Sequence, residues 1–322
     1  MKRSDFLKLT LAAGAGLPST LAFAGAERTV KTTPGPLPRR PLGNTGEHLS
    51  IIGFGGNIAK GEDQQGASRM IRQAYEQGVN YFDVAPAYGN AEDVMGEPLE
   101  PFRKEIFLSC KTAERGAAGS QRELETSLKK LRTDYFDLYQ LHYITSKEDI
   151  EIAFGPGGAM ETLVRAREKG MVRFLGFSAH SVEAAFAAME RFDFDTIMFP
   201  VNYVCAFNGN FGPQVIEKAR EKGMGILALK PGARCPRQRG EQRTYSKCWY
   251  RPFKTAEEIS ASYSYSLSFP VTSALPPQEE PLFRMAVEAA KSFVPLDDSD
   301  RKALEASAAG ERTLFSHPSW KG

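Results

Sequence analysis

The sequence has few cysteines and none of the spacings that bind metals. Its four cysteines, Cys110, Cys205, Cys235 and Cys248, include no C-x-x-C pair, which argues against a zinc ribbon or an iron–sulfur cluster. We therefore expect no metal site. Cys235 and Cys248 could close a loop of about 15 residues in an oxidising compartment, but the sequence favours two free thiols.

The chain also lacks an excess of either charge, because 41 Lys and Arg residues face 39 Asp and Glu residues. No overall field would attract DNA, RNA or an anionic membrane. Beyond the N-terminus, no apolar run approaches the roughly 18 residues of a membrane span. With 42% hydrophobic and 25% charged residues, the composition is typical of a globular protein with a large core. The expected partner is a small molecule.

The first 26 residues predict an export signal. Basic residues at positions 2, 3 and 8 precede a weakly apolar run that ends in small residues up to Ala26, as in secretory signals. The opening resembles a twin-arginine signal, which carries folded proteins, although Ser4 replaces the second arginine. Residues 27–40 contain three prolines and predict a linker, so the domain would occupy 41–322. We expect a periplasmic protein, or a cytoplasmic one if the signal does not function.

Eight short runs rich in β-branched and aromatic residues alternate with helical patterns and predict strands. They are residues 50–53, 80–84, 106–111, 136–142, 172–178, 196–201, 225–229 and 271–275. Gly78, Gly170 and Gly223 mark three predicted helix ends. This alternation predicts a closed parallel (β/α)8 barrel, with a hairpin around Asn44-Thr45-Gly46 ahead of it.

A doubly wound open sheet uses the same alternation of strand and helix. It is disfavoured because no G-x-G-x-x-G follows the first predicted strand, as a dinucleotide-binding fingerprint requires. The least regular predicted helix is 256–267, where serine and tyrosine replace the apolar stripe, and the loop from 231 to 252 is unusually long.

Three polar residues, Asp83, Lys111 and His142, end successive predicted strands, and Tyr88 follows Asp83 by five residues. In a parallel barrel all four would meet at one mouth. Taken one at a time, each has an ordinary structural explanation. Asp83 could cap a helix, Tyr88 could lie at the rim, and Lys111 could be a surface residue. His142 could be a core histidine with its hydrogen bonds satisfied. Together they indicate a site, because burying a lysine and an aspartate beside a histidine is costly without a purpose.

These four residue types suit the reduction of a carbonyl group, which needs a proton for the oxygen. Tyrosine, with its usual pKa of about 10, is poorly matched to neutral pH. We expect the Lys111 ammonium to lower the pKa of Tyr88, and Asp83 to hold that ammonium. His142 would orient the carbonyl and stabilise developing charge.

Four segments resemble the aldo-keto reductase family between about residues 41 and 293. Gly-Val-Asn-Tyr-Phe-Asp-Val-Ala-Pro-Ala-Tyr-Gly (78–89) resembles the signature with the catalytic aspartate and tyrosine, and Ile-Phe-Leu-Ser-Cys-Lys (106–111) the strand that delivers the lysine. Tyr-Phe-Asp-Leu-Tyr-Gln-Leu-His (135–142) resembles the strand ending in the histidine, and residues 41–46 the opening hairpin. The resemblance implies Tyr88 as general acid, tuned by Lys111 and Asp83, with His142 positioning the carbonyl of a small aldehyde, ketone or sugar.

The resemblance also implies an NADP(H) cofactor extended across the mouth. The residues assigned to it are Gly56, Asn57, Ser178, Asn202, Lys230 and Glu279. The chain departs from the family pattern at Ala179, where asparagine is usual, and at Pro200, where glutamine is usual. Leu229-Lys230-Pro231 resembles bacterial members with a C-terminal ferredoxin-like extension, whose cysteine cluster this chain lacks.

Glu279 occupies the place of an arginine that usually binds the adenosine 2′-phosphate. A carboxylate repels phosphate but accepts hydrogen bonds from a ribose hydroxyl, so NAD(H) is the alternative cofactor. Residues 230–254 carry eight Lys or Arg and form either a clamp for the cofactor phosphates or a solvated basic loop. The altered positions Ala179, Pro200 and Glu279 also leave open a barrel with weakened catalysis that binds a ligand or partner.

Overall fold

The computed structural model describes residues 36–317, which begin with a hairpin. Strand β1 (Arg39–Pro41) pairs antiparallel with β2 (His48–Ser50), which confirms the predicted N-terminal hairpin. It starts two residues before the predicted domain boundary, inside the segment 27–40 that was predicted to be a linker. The predicted export signal and residues 27–35 of that linker lie outside the described residues.

Eight parallel strands follow one another around a curled sheet in chain order. They are β3 (Phe54–Gly55), β4 (Tyr81–Asp83), β5 (Phe107–Thr112), β6 (Phe136–Ile144), β7 (Val172–Ala179), β8 (Thr196–Pro200), β9 (Gly225–Leu229) and, after a separate hairpin of β10 (Ala233–Pro236) and β11 (Tyr250–Pro252), β12 (Ser273–Ala274). The backbone joins the last strand to the first: Ala274 donates to Ile51 O at 2.9 Å and accepts from Gly53 N at 3.1 Å. The predicted (β/α)8 barrel is confirmed.

Helices cover the outside of the sheet. They are α1 (Gln64–Glu76), α2 (Ala91–Leu99), α3 (Ala117–Lys130), α4 (Lys147–Phe154), α5 (Ala159–Glu168), α6 (Val182–Arg191), α7 (Tyr203–Gly209), α8 (Pro213–Glu221), α9 (Ala256–Leu267), α10 (Glu280–Lys291) and α11 (Asp298–Ala308). The irregular predicted helix is confirmed as α9, which begins with a capping box of Thr255 and Glu258 and buries Tyr263 and Tyr265. Among residues 36–317, no helix has the length and apolar character to cross a bilayer.

Two apolar layers hold the barrel together. The larger lies between strands and helices; the smaller fills the barrel interior with residues such as Tyr81, Leu138 and Leu227. The hairpin adds Leu42 and Leu49 to the smaller layer, both fully buried, so it closes the end of the barrel opposite the carboxyl ends of the strands. The carboxyl end remains open for a site.

Candidate active site

Asp83 and Lys111 form a buried ion pair at the carboxyl ends of β4 and β5. Lys111 Nζ lies 2.5 Å from both Asp83 carboxylate oxygens, and Ser109 Oγ donates to Asp83 Oδ1 at 2.6 Å. The two side chains are 0% and 1% exposed. Burial is the largest influence and disfavours the Lys111 ammonium, but attraction to Asp83 and Tyr88, the hydrogen bonds to Asp83 and a smaller contribution from Cys110 together outweigh it and raise the pKa of Lys111. The lysine therefore stays charged inside the barrel.

Tyr88 lies above this pair in the loop after β4. Lys111 Nζ is 5.3 Å from the centre of the Tyr88 ring, and the Tyr88 and His142 rings meet edge to face at 5.7 Å. Burial raises the pKa of Tyr88 to about 12, and Lys111 offsets only part of that rise. Lys111 lowers the pKa of Tyr88, as the sequence predicted, but burial has the larger effect and leaves that pKa above its usual value. Tyr88 is a protonated phenol at neutral pH.

His142 is neutral for a related reason. The side chain is half-buried, and burial, followed by the nearby Lys111 charge, lowers the pKa of His142 to about 3. A neutral imidazole can donate a hydrogen bond from one ring nitrogen and accept at the other. The structure thus brings the four predicted residues Asp83, Tyr88, Lys111 and His142 together.

A distorted turn fixes the backbone that carries His142. Tyr143 adopts a left-handed conformation with φ 59°, and the pairing of β6 with β7 shifts register between Leu141 and Ile144. Arg115 Nη2 donates to the carbonyls of His142 and Tyr143 at 2.7 and 3.1 Å, while Arg115 Nε donates to Asp149 at 3.0 Å. Arg115 was not predicted from the sequence. Its position four residues after Lys111, in the loop that follows β5, could have indicated that it lies near the site.

A cleft of about 210 Å³ opens over these side chains at the barrel mouth. It is lined by Asn57, Tyr88, Lys111, His142, Tyr143, Ser178, His180, Met198, Leu229, Lys230, Trp249 and Gln278. His180 is one of these lining residues, whereas its neighbour Ser181 caps α6 by accepting a hydrogen bond from Ala184 N. Trp249 and Gln278 were not predicted, although Trp249 is the tryptophan of the basic loop.

Three of the residues assigned to the cofactor, Asn57, Ser178 and Lys230, line the cleft. The Ser178 hydroxyl accepts a hydrogen bond from Tyr143 N at 2.7 Å. Gly56 is buried beneath the mouth, where an added Cβ would lie 2.9 Å from Val84 Cγ2. Gly55, its neighbour, lines an adjoining cavity instead.

Asn202 and Glu279 are not brought into the cleft. The Asn202 side chain is buried, caps α7 by accepting from Cys205 N at 3.0 Å, and donates to Lys230 O at 2.9 Å. Its polar atoms hold the loop after β9. Glu279 Oε1 accepts from Lys247 N at 2.7 Å at the start of α10. The sequence assigned Asn202 and Glu279 to the cofactor from their positions along a strand and a loop. Such a position does not determine the direction of the side chain.

The basic loop after β9 is partly neutralised by acids from elsewhere in the chain and by its own Glu241. Arg234 pairs with Glu258 and Glu311, Lys247 with Glu62, and Arg251 with Glu241. Lys247 Nζ also donates to Ile58 O at 2.7 Å, so the loop crosses the mouth and is fastened to the segment after β3. All four cysteines are buried free thiols, so Cys235 and Cys248 do not pair.

The fold and the site define a (β/α)8 barrel with a protonated phenol, a buried ammonium and a neutral imidazole at its mouth. Residues 51–267 match the family model described as the aldo/keto reductase family. The chain therefore belongs to the aldo/keto reductase family of oxidoreductases.

The chain is similar to several curated proteins over part of its length. "Aldo-keto reductase YhdN" of Bacillus subtilis (strain 168) is 32% identical over 161 residues, covering 44% of this chain and 47% of that protein. "L-galactose dehydrogenase" of Arabidopsis thaliana is 25% identical over 212 residues, covering 60% and 64%. The first of these matches thus spans about half of its relative's length, and the second less than two thirds.

Solved structures cover more of the chain. Aldo-keto reductase AKR11C1 from Bacillus halodurans (holo form) superposes with a TM-score of 0.68 at 22% identity, covering 86% of this chain and 98% of that one. An aldo-keto reductase from Klebsiella pneumoniae in complex with NADPH gives 0.62 at 18% identity, covering 87% and 96%. At these identities the likeness shows the shared fold.

Proposed function

We propose that the protein reduces the carbonyl group of small aldehydes, ketones or sugars, taking hydride from a nicotinamide cofactor and a proton from Tyr88. The observation that carries this proposal is the position of Tyr88 in the mouth cleft, between the Lys111 ammonium at 5.3 Å from its ring and the His142 ring at 5.7 Å. Membership of the aldo/keto reductase family supports it.

The residues of the cleft fit a nicotinamide cofactor. The Ser178 oxygen already accepts a hydrogen bond from Tyr143 N, so the Ser178 O–H is available to donate into the cleft. The carboxamide oxygen of a nicotinamide could accept that hydrogen bond. In the adjoining cavity, which Asn57 and Tyr88 also line, an added Cβ at Gly55 would meet only Leu275, at 4.0 Å, which leaves room for a flat ring. The Asn57 and Gln278 amides also line the cleft. A bound nicotinamide supplies the hydride.

The chain's own residues supply the rest of the chemistry. Neutral His142 donates a hydrogen bond to the substrate carbonyl oxygen and orients it beside Tyr88. As hydride reaches the carbonyl carbon, the Tyr88 O–H bond breaks and its proton passes to the carbonyl oxygen, which gives the alcohol. Lys111 stabilises the phenolate left on Tyr88, and Asp83 keeps Lys111 in place.

For the cofactor we propose NADP(H), with NAD(H) as the alternative that Glu279 favours. Glu279 brings a carboxylate to the start of α10, where it would repel a 2′-phosphate. Three arginines of the basic loop, Arg237, Arg239 and Arg243, have no ion pair among residues 36–317 and could compensate. Titration of both reduced cofactors at low and high salt separates the two assignments.

A barrel that only binds its ligand is the second candidate. It is favoured by Asn202 and Glu279, two residues assigned to the cofactor whose side chains bond to the protein itself. The test is a panel of small aldehydes, ketones and sugars assayed with NADPH and NADH, beside titration of the intrinsic fluorescence with each cofactor. Saturable quenching with turnover supports the reductase. Failure to bind either cofactor would contradict it and favour the binding protein.

Two further assignments rest on the sequence. Leu229-Lys230-Pro231 supports a place near the bacterial subgroup with a ferredoxin-like extension, although the chain has no cluster of cysteines. The N-terminal pattern supports export to the periplasm, with the cofactor bound before transport. Fractionation of cells producing the full chain tests this, because an inactive signal would leave the protein in the cytoplasm.

A further inference from the structure

The mouth cleft contains one positive charge that no acid of the described residues neutralises. Neither Asp nor Glu is among the described residues that line it. Lys111 is paired with Asp83, and His142 and His180 are neutral because burial lowers the pKa of each to about 3. The remaining cation, Lys230, has no ion pair or side-chain hydrogen bond within residues 36–317. Its ammonium lies near two rings, 5.7 Å from Trp249 and 5.4 Å from Tyr250.

The protein holds Lys230 in this position at a cost. Its backbone is left-handed, with φ 60°, a conformation that disfavours residues other than glycine. The carbonyl of Lys230 accepts hydrogen bonds from Asn202 Nδ2 at 2.9 Å and Ala233 N at 3.1 Å. Burial lowers the pKa of Lys230 to about 8, so it is mostly protonated at neutral pH. An anion entering the cleft would offset the lost solvation of this ammonium.

His180 adds a second polar group to the same cleft. Its ring packs 4.6 Å from Tyr143 and 5.4 Å from Phe315, and its Nδ1 is buried with no partner within residues 36–317. A neutral imidazole has one N–H to donate. An ammonium and an N–H donor that line the same cleft are the contacts that a carboxylate or phosphate oxygen takes.

We propose that Lys230 and His180 form a subsite for an anionic group of the substrate, so that the enzyme prefers small aldehydes or ketones bearing a carboxylate or phosphate over neutral ones of similar size. This inference rests on the proposed reductase function. Lys230 shares the cleft with Tyr88 and His142, and its charge helps lower the pKa of His142. A ribose separates the nicotinamide from the cofactor diphosphate, so a cation that lines the same cleft as Tyr88 is better placed for the substrate than for the diphosphate. Cofactor binding by Lys230, the prediction from sequence, is the competing assignment.

The test compares 4-carboxybenzaldehyde with its methyl ester, since the two share an aromatic aldehyde and differ in charge. Wild-type protein, Lys230→Met, Lys230→Arg and the control Lys169→Met are assayed for kcat/KM, and their affinities for NADPH and NADH are titrated. Lys169 is an exposed lysine at the end of α5, outside the cleft lining. The ratio of kcat/KM for acid over ester is the readout, because it cancels general losses of activity.

The proposal predicts that wild type and Lys169→Met prefer the acid by about tenfold, the worth of a charge-assisted hydrogen bond. Lys230→Met should lower the ratio to about one with cofactor affinity kept, and Lys230→Arg should preserve the preference. A wild-type ratio near one would overturn the subsite. So would a Lys230→Met variant that loses cofactor affinity and both activities equally, since the charge would then serve the cofactor diphosphate. Turnover of neither aldehyde would contradict the reductase function itself.

Discussion

Arg115 Nη2 donates a 2.7 Å hydrogen bond to the main-chain carbonyl of His142. The same nitrogen bonds Tyr143 O at 3.1 Å, and Asp149 holds the other side of the guanidinium. The planar fork of an arginine spans these acceptors, which a single ammonium cannot. Arg115 is therefore a positioning residue that sets where the His142 imidazole points.

Arg115→Met should lower kcat about tenfold or more, because a small displacement of an orienting group has large effects on rate. Cofactor affinity should be unchanged. Steady-state kinetics and cofactor titration measure both quantities, with Arg122→Met as the matched control at an exposed arginine of α3. If kcat were the same in both variants, the positioning role would be refuted.

Lys111→Met should destabilise the fold as well as abolish activity. It leaves the buried Asp83 carboxylate without its partner, and such a loss costs about 3–5 kcal/mol. The double variant Asp83→Leu, Lys111→Met should recover most of the free energy of unfolding, because neither charge remains, yet stay inactive. Urea denaturation of wild type and both variants checks this. A single variant as stable as wild type would contradict the buried ion pair.

Acid should destabilise the protein through its two neutral cleft histidines. Burial lowers the pKa of His142 and His180 to about 3 from 6.5, so between those values the unfolded chain binds more protons than the folded one. The free energy of unfolding therefore falls as pH drops below 6.5, by about 2 kcal/mol per histidine at pH 5. In His180→Gln the loss between pH 7 and 5 should be smaller by about that amount. Equal losses in variant and wild type would show that His180 is not held neutral.

Much of the fold follows from strand and helix patterns. Strands β5 to β9 lie within two residues of their predicted bounds, because each is a compact apolar run between clear helix signals. The bounds of the first predicted strand, 50–53, are displaced: Ser50 belongs to the hairpin, Ile52 bridges Ala274 of the last strand, and β3 itself is Phe54–Gly55. A single apolar run continues from the hairpin strand β2 into β3, so the periodicity of the sequence does not show where one strand ends and the next begins.

Other elements depend on tertiary contacts that no local pattern records. The hairpin of β10 and β11 joins strands separated by a long polar loop, without the two-residue turn that predicts a hairpin. Among the site residues, Asp83, Lys111 and His142 could be predicted because the end of a strand fixes their position. The side-chain directions of Asn202 and Glu279 and the hydrogen bonds of Arg115 could not be predicted. They depend on which backbone groups, distant in sequence, lie within hydrogen-bonding distance.

The most direct test of the account is kcat/KM for Tyr88→Phe on an aldehyde that the wild type reduces. Removing the hydroxyl keeps the ring packed against His142 but takes away the proton donor, so kcat/KM should fall about a hundredfold or more with cofactor affinity kept. Full reductase activity in Tyr88→Phe would contradict the assignment of Tyr88 as the general acid.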